Sequence, residues 1–199
     1  MADKEKLIEQ TRLAFDFIGK LYLEVSYLVK EIEGILADEL EEFTIGKPAG
    51  YGISVKSSTG LESTNVKLWL SRKFAVFFIP KGKTKISGGQ THTPFDQELK
   101  VLYQRFVLDE SDTGYPAVYS GVIYDIKNNN SKWSKFEQMM GPLQYQDTKI
   151  FLNPNKVEYE HPSVALKGEF ILNSLFEIND TQTIHEKIVK PSLALYRKC

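Results

Sequence analysis

Apolar side chains return every seventh position through the first forty residues. Ile8, Phe15, Tyr22, Val29 and Leu36 form one set, Leu7, Ala14, Leu21, Leu28 and Ile35 a second, and Thr11, Ile18, Val25 and Ile32 a third. Three apolar positions in seven describe an amphipathic helix whose covered stripe is wider than a two-position coiled-coil seam. The opposite face carries Glu9, Asp16, Glu24, Glu31 and Glu33, with Lys20 and Lys30 among them. The spacing predicts a helix over 1–43, broken by Thr44-Ile45-Gly46-Lys47-Pro48. Gly19 and Gly34 lie off the stripe and are places for a bend, since each costs about 1 kcal/mol against alanine. A straight helix of this length measures roughly 55 Å at 1.5 Å per residue. A compact chain of this size is about 40 Å across. The helix therefore either bends or overhangs its body and meets another helix.

Past residue 48 the pattern changes to strands, expected at 51–56, 66–79, 99–108 and 117–127. The stretch 74–79 has no polar member, which suits a central strand covered on both faces. Residues 109–116 read as a hairpin loop. A short helix is expected over 132–140, stopped by Gly141-Pro142. Strands at 149–152 and 157–160 flank an Asn-Pro-Asn-Lys turn. A last strand region covers 164–178, with Gly168 as a candidate bulge. Asn179-Asp180-Thr181 caps a terminal helix over 180–197, interrupted or ended by Pro191. Parallel pairing needs crossovers of a dozen or more residues, and few are available. The expected architecture is one α+β domain over 1–199. Its sheet region, 49–178, holds a mostly antiparallel sheet of about six or seven strands, with a long N-terminal and a C-terminal helix.

The chain has 199 residues, of which 42% are apolar and 26% charged. A chain this long buries roughly 70% of the surface its unfolded form exposes. The net charge of -1 argues against a large field for nucleic acid or an anionic membrane. Cys199 is the single cysteine, so no disulfide can form within the chain, which fits a reducing compartment. No run approaches the ~18 apolar residues of a membrane span. The charged opening MADKEKLIEQ does not read as a secretory signal. A cytoplasmic protein is expected, with no membrane or nucleic-acid partner.

Candidate chemistry is sparse. The segment 80–94 is rich in glycine, lysine and threonine, and its Lys81, Lys83, Lys85 and His92 could contact an anion. Gly82-Lys83-Thr84 resembles the end of a phosphate-binding P-loop, but Phe77 stands where that pattern needs glycine. Asp109 and Asp125-Ile126-Lys127 resemble the acid…acid-x-lysine signature of metal-dependent nucleases, in which two carboxylates hold a divalent ion and lysine steadies phosphate charge. In a plain hairpin, however, Asp109 and Asp125 lie at opposite ends. His185-Glu186 begins like a zinc-protease helix, but Val189 replaces its second histidine. The strand Arg72-Lys73-Phe74-Ala75 resembles the stacking strand of RNA-recognition domains, without its glycine or its second aromatic residue. The strand aromatics Trp69, Phe74, Phe77, Tyr103, Phe106, Tyr119 and Tyr124 read as core. No cofactor is expected.

The expected function is a non-catalytic binding or regulatory module with a protein or small-molecule partner. It would self-associate through Phe15, Ile18, Tyr22, Val25, Val29 and Ile32 of the first helix. The alternative is a metal-dependent phosphoesterase or nuclease-like enzyme using the hairpin carboxylates.

Overall fold

The computed structural model describes residues 2–38, 43–46, 73–88, 90–108, 113–139 and 156–199. The leading helix, α1 (Ala2–Ala37), is one uninterrupted element. Eight strands follow among the described residues: β1 (Phe43–Ile45), β2 (Lys73–Pro80), β3 (Lys85–Ser87), β4 (Gln90–His92), β5 (Val101–Val107), β6 (Ala117–Asn128), β7 (Val157–His161) and β8 (Val164–Ser174). Six of them form an antiparallel sheet in the order β1-β2-β5-β6-β8-β7, and β3 pairs with β4 as a separate hairpin. The chain ends in α2 (Thr181–Ile184), a π-helical turn (His185–Val189) and α3 (Lys190–Lys198). The fold is mixed α+β, as its patterning implies. The expected strands at 51–56, 66–72 and 149–152 lie outside the described residues.

The sheet is covered on both faces. On one, Val25, Val29, Ile32 and Leu36 of α1 meet Phe74, Val76, Phe78, Leu102, Phe106, Val118 and Val122. Ile184, Ile188, Val189, Leu193 and Tyr196 of the terminal helical run complete that layer. On the other, Phe77, Tyr103, Ile123, Leu166 and Phe170 pack with Phe136 and Met139. The apolar run of β2 thus supplies Phe74, Val76 and Phe78 to one core and Ala75, Phe77 and Ile79 to the other. Arg105, on β5 between Tyr103 and Val107, is buried.

Gly121 explains how two large rings meet from the strands on either side of β6. It stands in register between Tyr103 of β5 and Phe170 of β8, and the rings of those residues meet edge to face at 5.4 Å. A β-carbon there would lie 2.9 Å from the Phe170 ring. Gly168 serves the same ring: a β-carbon on it would lie 2.7 Å from two ring carbons of Phe170.

Several elements depart from the pattern. Gly168 is not a bulge, because it pairs in register with Ile123 and Val157. The bulge lies on β6, where Asp125 and Ile126 together oppose Leu166, and Asp125 takes φ 49°. The expected helix over 132–140 is helical only at 137–139 among the described residues. Its earlier amides are engaged elsewhere: Phe136 donates to the Thr93 carbonyl at 2.8 Å, and the Gln138 side chain takes the Ser134 amide at 2.7 Å. Buried Glu137 completes this attachment by accepting from the Thr93 amide at 3.0 Å and the Thr93 hydroxyl at 2.7 Å.

The expected strand over 164–178 ends at Ser174, where the side chain accepts from the Phe176 amide and opens a 3-10 turn (Leu175–Glu177). Pro191 does not end the terminal helix. A proline cannot donate to the carbonyl four residues back. Here that carbonyl, of Lys187, accepts from Asn173 Nδ2 at 2.9 Å, and the preceding turn widens to π geometry. The start of this run is fastened by a capping box, in which Asp180 accepts from the Thr183 amide and the Thr183 hydroxyl reaches the Asp180 amide.

Candidate functional site

Among the described residues, the leading helix is covered along only half its length. From Ile32 and Leu36, at 0% and 1% exposure, coverage falls away toward the N-terminus, and residues 4–17 are all exposed. The uncovered part measures roughly 20 Å at 1.5 Å per residue. Among the described residues its apolar stripe stays uncovered: Leu7, Ile8 and Phe15 are 62%, 61% and 68% exposed. Among the described residues the first half of α1 thus overhangs the core. Isolated exposed apolar residues are ordinary, but a contiguous row of them on one helix marks an interaction surface.

Where the overhang leaves the body, one flank of α1 walls an apolar groove of about 460 Å³. Phe17, Leu21, Glu24, Leu28 and Glu31 form that wall. They recur at intervals of three and four, so they share one side of the helix. Leu108, Pro116, Leu175, Phe176, Ile178 and Ile184 supply the apolar part of the remainder, and Asn179, Asp180 and Thr181 its polar part. Phe176 is 72% exposed at the rim. Thr181 donates to Glu31 at 2.9 Å and ties the groove's two walls together.

The residues expected at an interface between copies divide here. Phe15 is exposed, and Ile18 and Tyr22 are half-buried. Val25, Val29 and Ile32 are buried inside their own subunit, beneath the terminal helical run, and are corrected to core. The exposed apolar set instead includes Leu7, Ile8, Leu13 and Phe17. Leu7 and Ile8 belong to the heptad sets; Leu13 and Phe17 lie beside them on the flank that faces the groove.

The described residues of the basic segment 80–94 form a 3-10 turn (Lys81–Lys83) and the paired strands β3 and β4, not a structureless loop. Lys83 bonds Asp96 at 2.7 Å and lies 3.6 Å from Glu98. That ion pair raises the Lys83 ammonium and lowers the Asp96 carboxyl from their ordinary values, chiefly through the hydrogen bond between them. The His92 Nδ1 lies 3.1 Å from Lys135 Nζ. Lys85 stays exposed on β3. Lys83 therefore arrives already neutralised, which weakens the segment as an anion site.

Beside it lies a polar cleft of about 730 Å³, lined in part by Lys83, Glu98, Lys100, Tyr124, Asp125 and Tyr196. Lys100 Nζ donates to the Tyr196 carbonyl at 3.0 Å and sits 4.8 Å from the centre of its ring. Cys199 also reaches this cleft. Burial, aided by the Glu169 charge, pushes its thiol up, opposite to the shift a nucleophile needs.

Asp125 pairs with Lys167 at 2.9 Å and lies 3.9 Å from Lys127. The Lys167 hydrogen bond holds its carboxyl below the ordinary range. Asp109 lies outside the described residues. Its neighbour Leu108 follows the end of β5 where Val107 faces Ala117, whereas Asp125 lies beyond the far pairing of Val101 with Ile123. The two ends are roughly 25 Å apart at about 3.3 Å per residue. Among the described residues no three His, Cys, Asp or Glu side chains gather as a metal site.

The bulge gives Asp125 a structural role, since aspartate tolerates positive φ better than β-branched residues do. Asp125→Val should lower stability by about 1–2 kcal/mol, and Asp125→Gly by less, because glycine relieves the backbone while losing only an exposed ion pair. Urea unfolding of the two variants measures the difference, and equal losses would remove the backbone explanation.

No helix among the described residues is long and apolar enough to cross a membrane. The chain matches no protein-family model, no curated protein and no solved structure.

Proposed function

We propose that the chain is a non-catalytic, cytoplasmic binding or regulatory module that self-associates through α1. The observation that carries this reading is the apolar stripe of Leu7, Ile8 and Phe15, which is exposed beyond the described core on a continuous helix. The same stripe is covered by packing from Val25 onward, so its uncovered half has the composition of an interface and not of a solvated face. The charged groups of the polar cleft support a binding role over catalysis. Lys83 and Asp125 are held in ion pairs, and the Cys199 thiol is shifted away from reactivity. A cleft of that size and mixed lining suits a small polar ligand.

Sedimentation velocity over a wide concentration range tests the self-association. The protein should pass from monomer to dimer. Ile8→Glu with Phe15→Glu should weaken the dimer at least about 100-fold, roughly 3 kcal/mol, with an unchanged circular-dichroism spectrum at matched low concentration. A wild-type protein that sediments as a monomer throughout ends the proposal.

A further inference from the structure

The row of α1 that walls the groove continues onto the exposed half of the helix, and its spacing and charge are complementary to themselves when reversed. We infer that the groove receives the overhanging half of α1 from a second copy, running antiparallel, so that two overhangs and two grooves are filled at once around one two-fold axis. This rests on the self-association proposed above and adds to it the direction of pairing and the seat.

The row of α1 that walls the groove does not stop at Phe17. Continued toward the N-terminus at the same spacing it reads Leu13, Gln10 and Lys6. Laid antiparallel on itself about Phe17, this row is self-complementary. Phe17 meets its own copy, Leu13 meets Leu21, and Gln10 meets Glu24. Lys6 comes opposite Leu28, between Glu24 and Glu31, two of the groove's three carboxylates, Asp180 being the third. A parallel arrangement would instead stack Lys6 on Lys6 and Glu24 on Glu24, setting like charges against each other.

The second apolar row agrees. A two-fold axis perpendicular to the paired helices leaves the main stripes of both copies turned to the same side. The stripe of each α1 faces its own body, so the partner's stripe faces that body too. Leu7, Ile8 and Phe15 of one copy then come down along Leu175, Phe176 and Ile178 of the other. Those are three residues of the groove's far wall, and Phe176 is the most exposed large apolar side chain among the described residues.

Area supports the seat over simple overhang-to-overhang contact. Half the lateral surface of a helix about 11 Å wide and roughly 20–25 Å long is about 400 Å². A stable interface takes about 800 Å² from each partner. Two overhangs touching only each other fall short, and each overhang lying in the other's groove supplies the rest. The parallel alternative is limited in the same way, because Val25, Val29, Ile32 and Leu36 are already consumed by the subunit's own core.

The test uses the full chain with Cys199→Ser and single new cysteines at two exposed positions, Gln10→Cys and Glu24→Cys. Mild oxidation of the two proteins mixed should give mainly the mixed disulfide dimer, and each alone should give at least 10-fold less. Homodimers from each alone, with no mixed enrichment, would show parallel pairing and overturn the inference while leaving self-association standing. A chain that stays monomeric in sedimentation would overturn both. Phe17→Asp, at the axis and exposed in the monomer, should weaken the dimer at least 100-fold without altering the monomer's helix signal. A dimer that tolerates this change would also overturn the seat.

Discussion

Gly121→Ala is expected to cost at least about 3 kcal/mol, the largest loss from any single added methyl group in the described sheet. Its β-carbon would fall inside the contact distance of the Glu169 carbonyl oxygen and 2.8 Å from the Phe170 Cα, both backbone atoms of β8. Backbone cannot turn aside as a flexible side chain can. Relief would require β6 and β8 to separate along their shared ladder, or the Tyr103–Phe170 ring pair to come apart. Total stabilities of domains are only about 5–15 kcal/mol, so the variant should show a markedly lower urea midpoint. Gly34→Ala is the control. Nothing lies within 4 Å of a β-carbon there, and the helix gains propensity, so stability should rise by about 0.5–1 kcal/mol. If Gly121→Ala were as stable as the parent, the close approach of β8 would be refuted.

Ile32→Ala and Ile8→Ala remove the same atoms from the same helix and should behave oppositely. Ile32 is fully buried between the sheet and the terminal helical run, and its truncation leaves a cavity costing about 3–4 kcal/mol of subunit stability. Ile8 is 61% exposed, so its truncation should change the stability of the dilute monomer by less than about 0.5 kcal/mol. Its cost should appear instead in the dimer dissociation constant, by about 10-fold. Chemical unfolding at low concentration and sedimentation at high concentration separate the two. Equal losses in the unfolding measurement would mean that the overhang is buried by its own subunit.

Hydrophobic spacing made α1 and the antiparallel α+β class legible, because period seven over five heptads and short turn-like connections leave few other architectures. The same spacing could not say what covers the stripe. It records that Val25, Val29 and Ile32 are apolar on one side, and a partner copy and a second helix of the same chain satisfy that equally. A signal for the second helix was nonetheless present. Ile184, Ile188, Val189, Leu193 and Tyr196 form their own helical stripe, interrupted on paper by Pro191. The interruption misleads because the remedy for the proline, the Asn173 side chain, comes from a strand eighteen residues earlier.

The bulge was sought at Gly168 because glycine is the usual marker. Gly168 serves ring packing instead, and the bulge falls on Asp125, whose carboxylate resembled a metal ligand. Arg105 is illegible for a related reason. Alternation assigns it to a strand face but gives no warning that a guanidinium is accommodated in the core there. The candidate groove was least legible of all, since its wall on α1 lies beside the heptad stripe and its far wall comes from the turn after β8.

Half of a continuous helix lies on a core and half does not, so the two halves should differ in amide exchange. Residues 25–36 borrow the stability of the sheet and exchange only with its unfolding. Residues 4–17 lie outside the described core, and helices of that length are marginal in water without packing. Deuterium uptake should therefore be fast in the first half at nanomolar chain and slow at micromolar chain, a change of state set by the amount of protein present and by no other ligand.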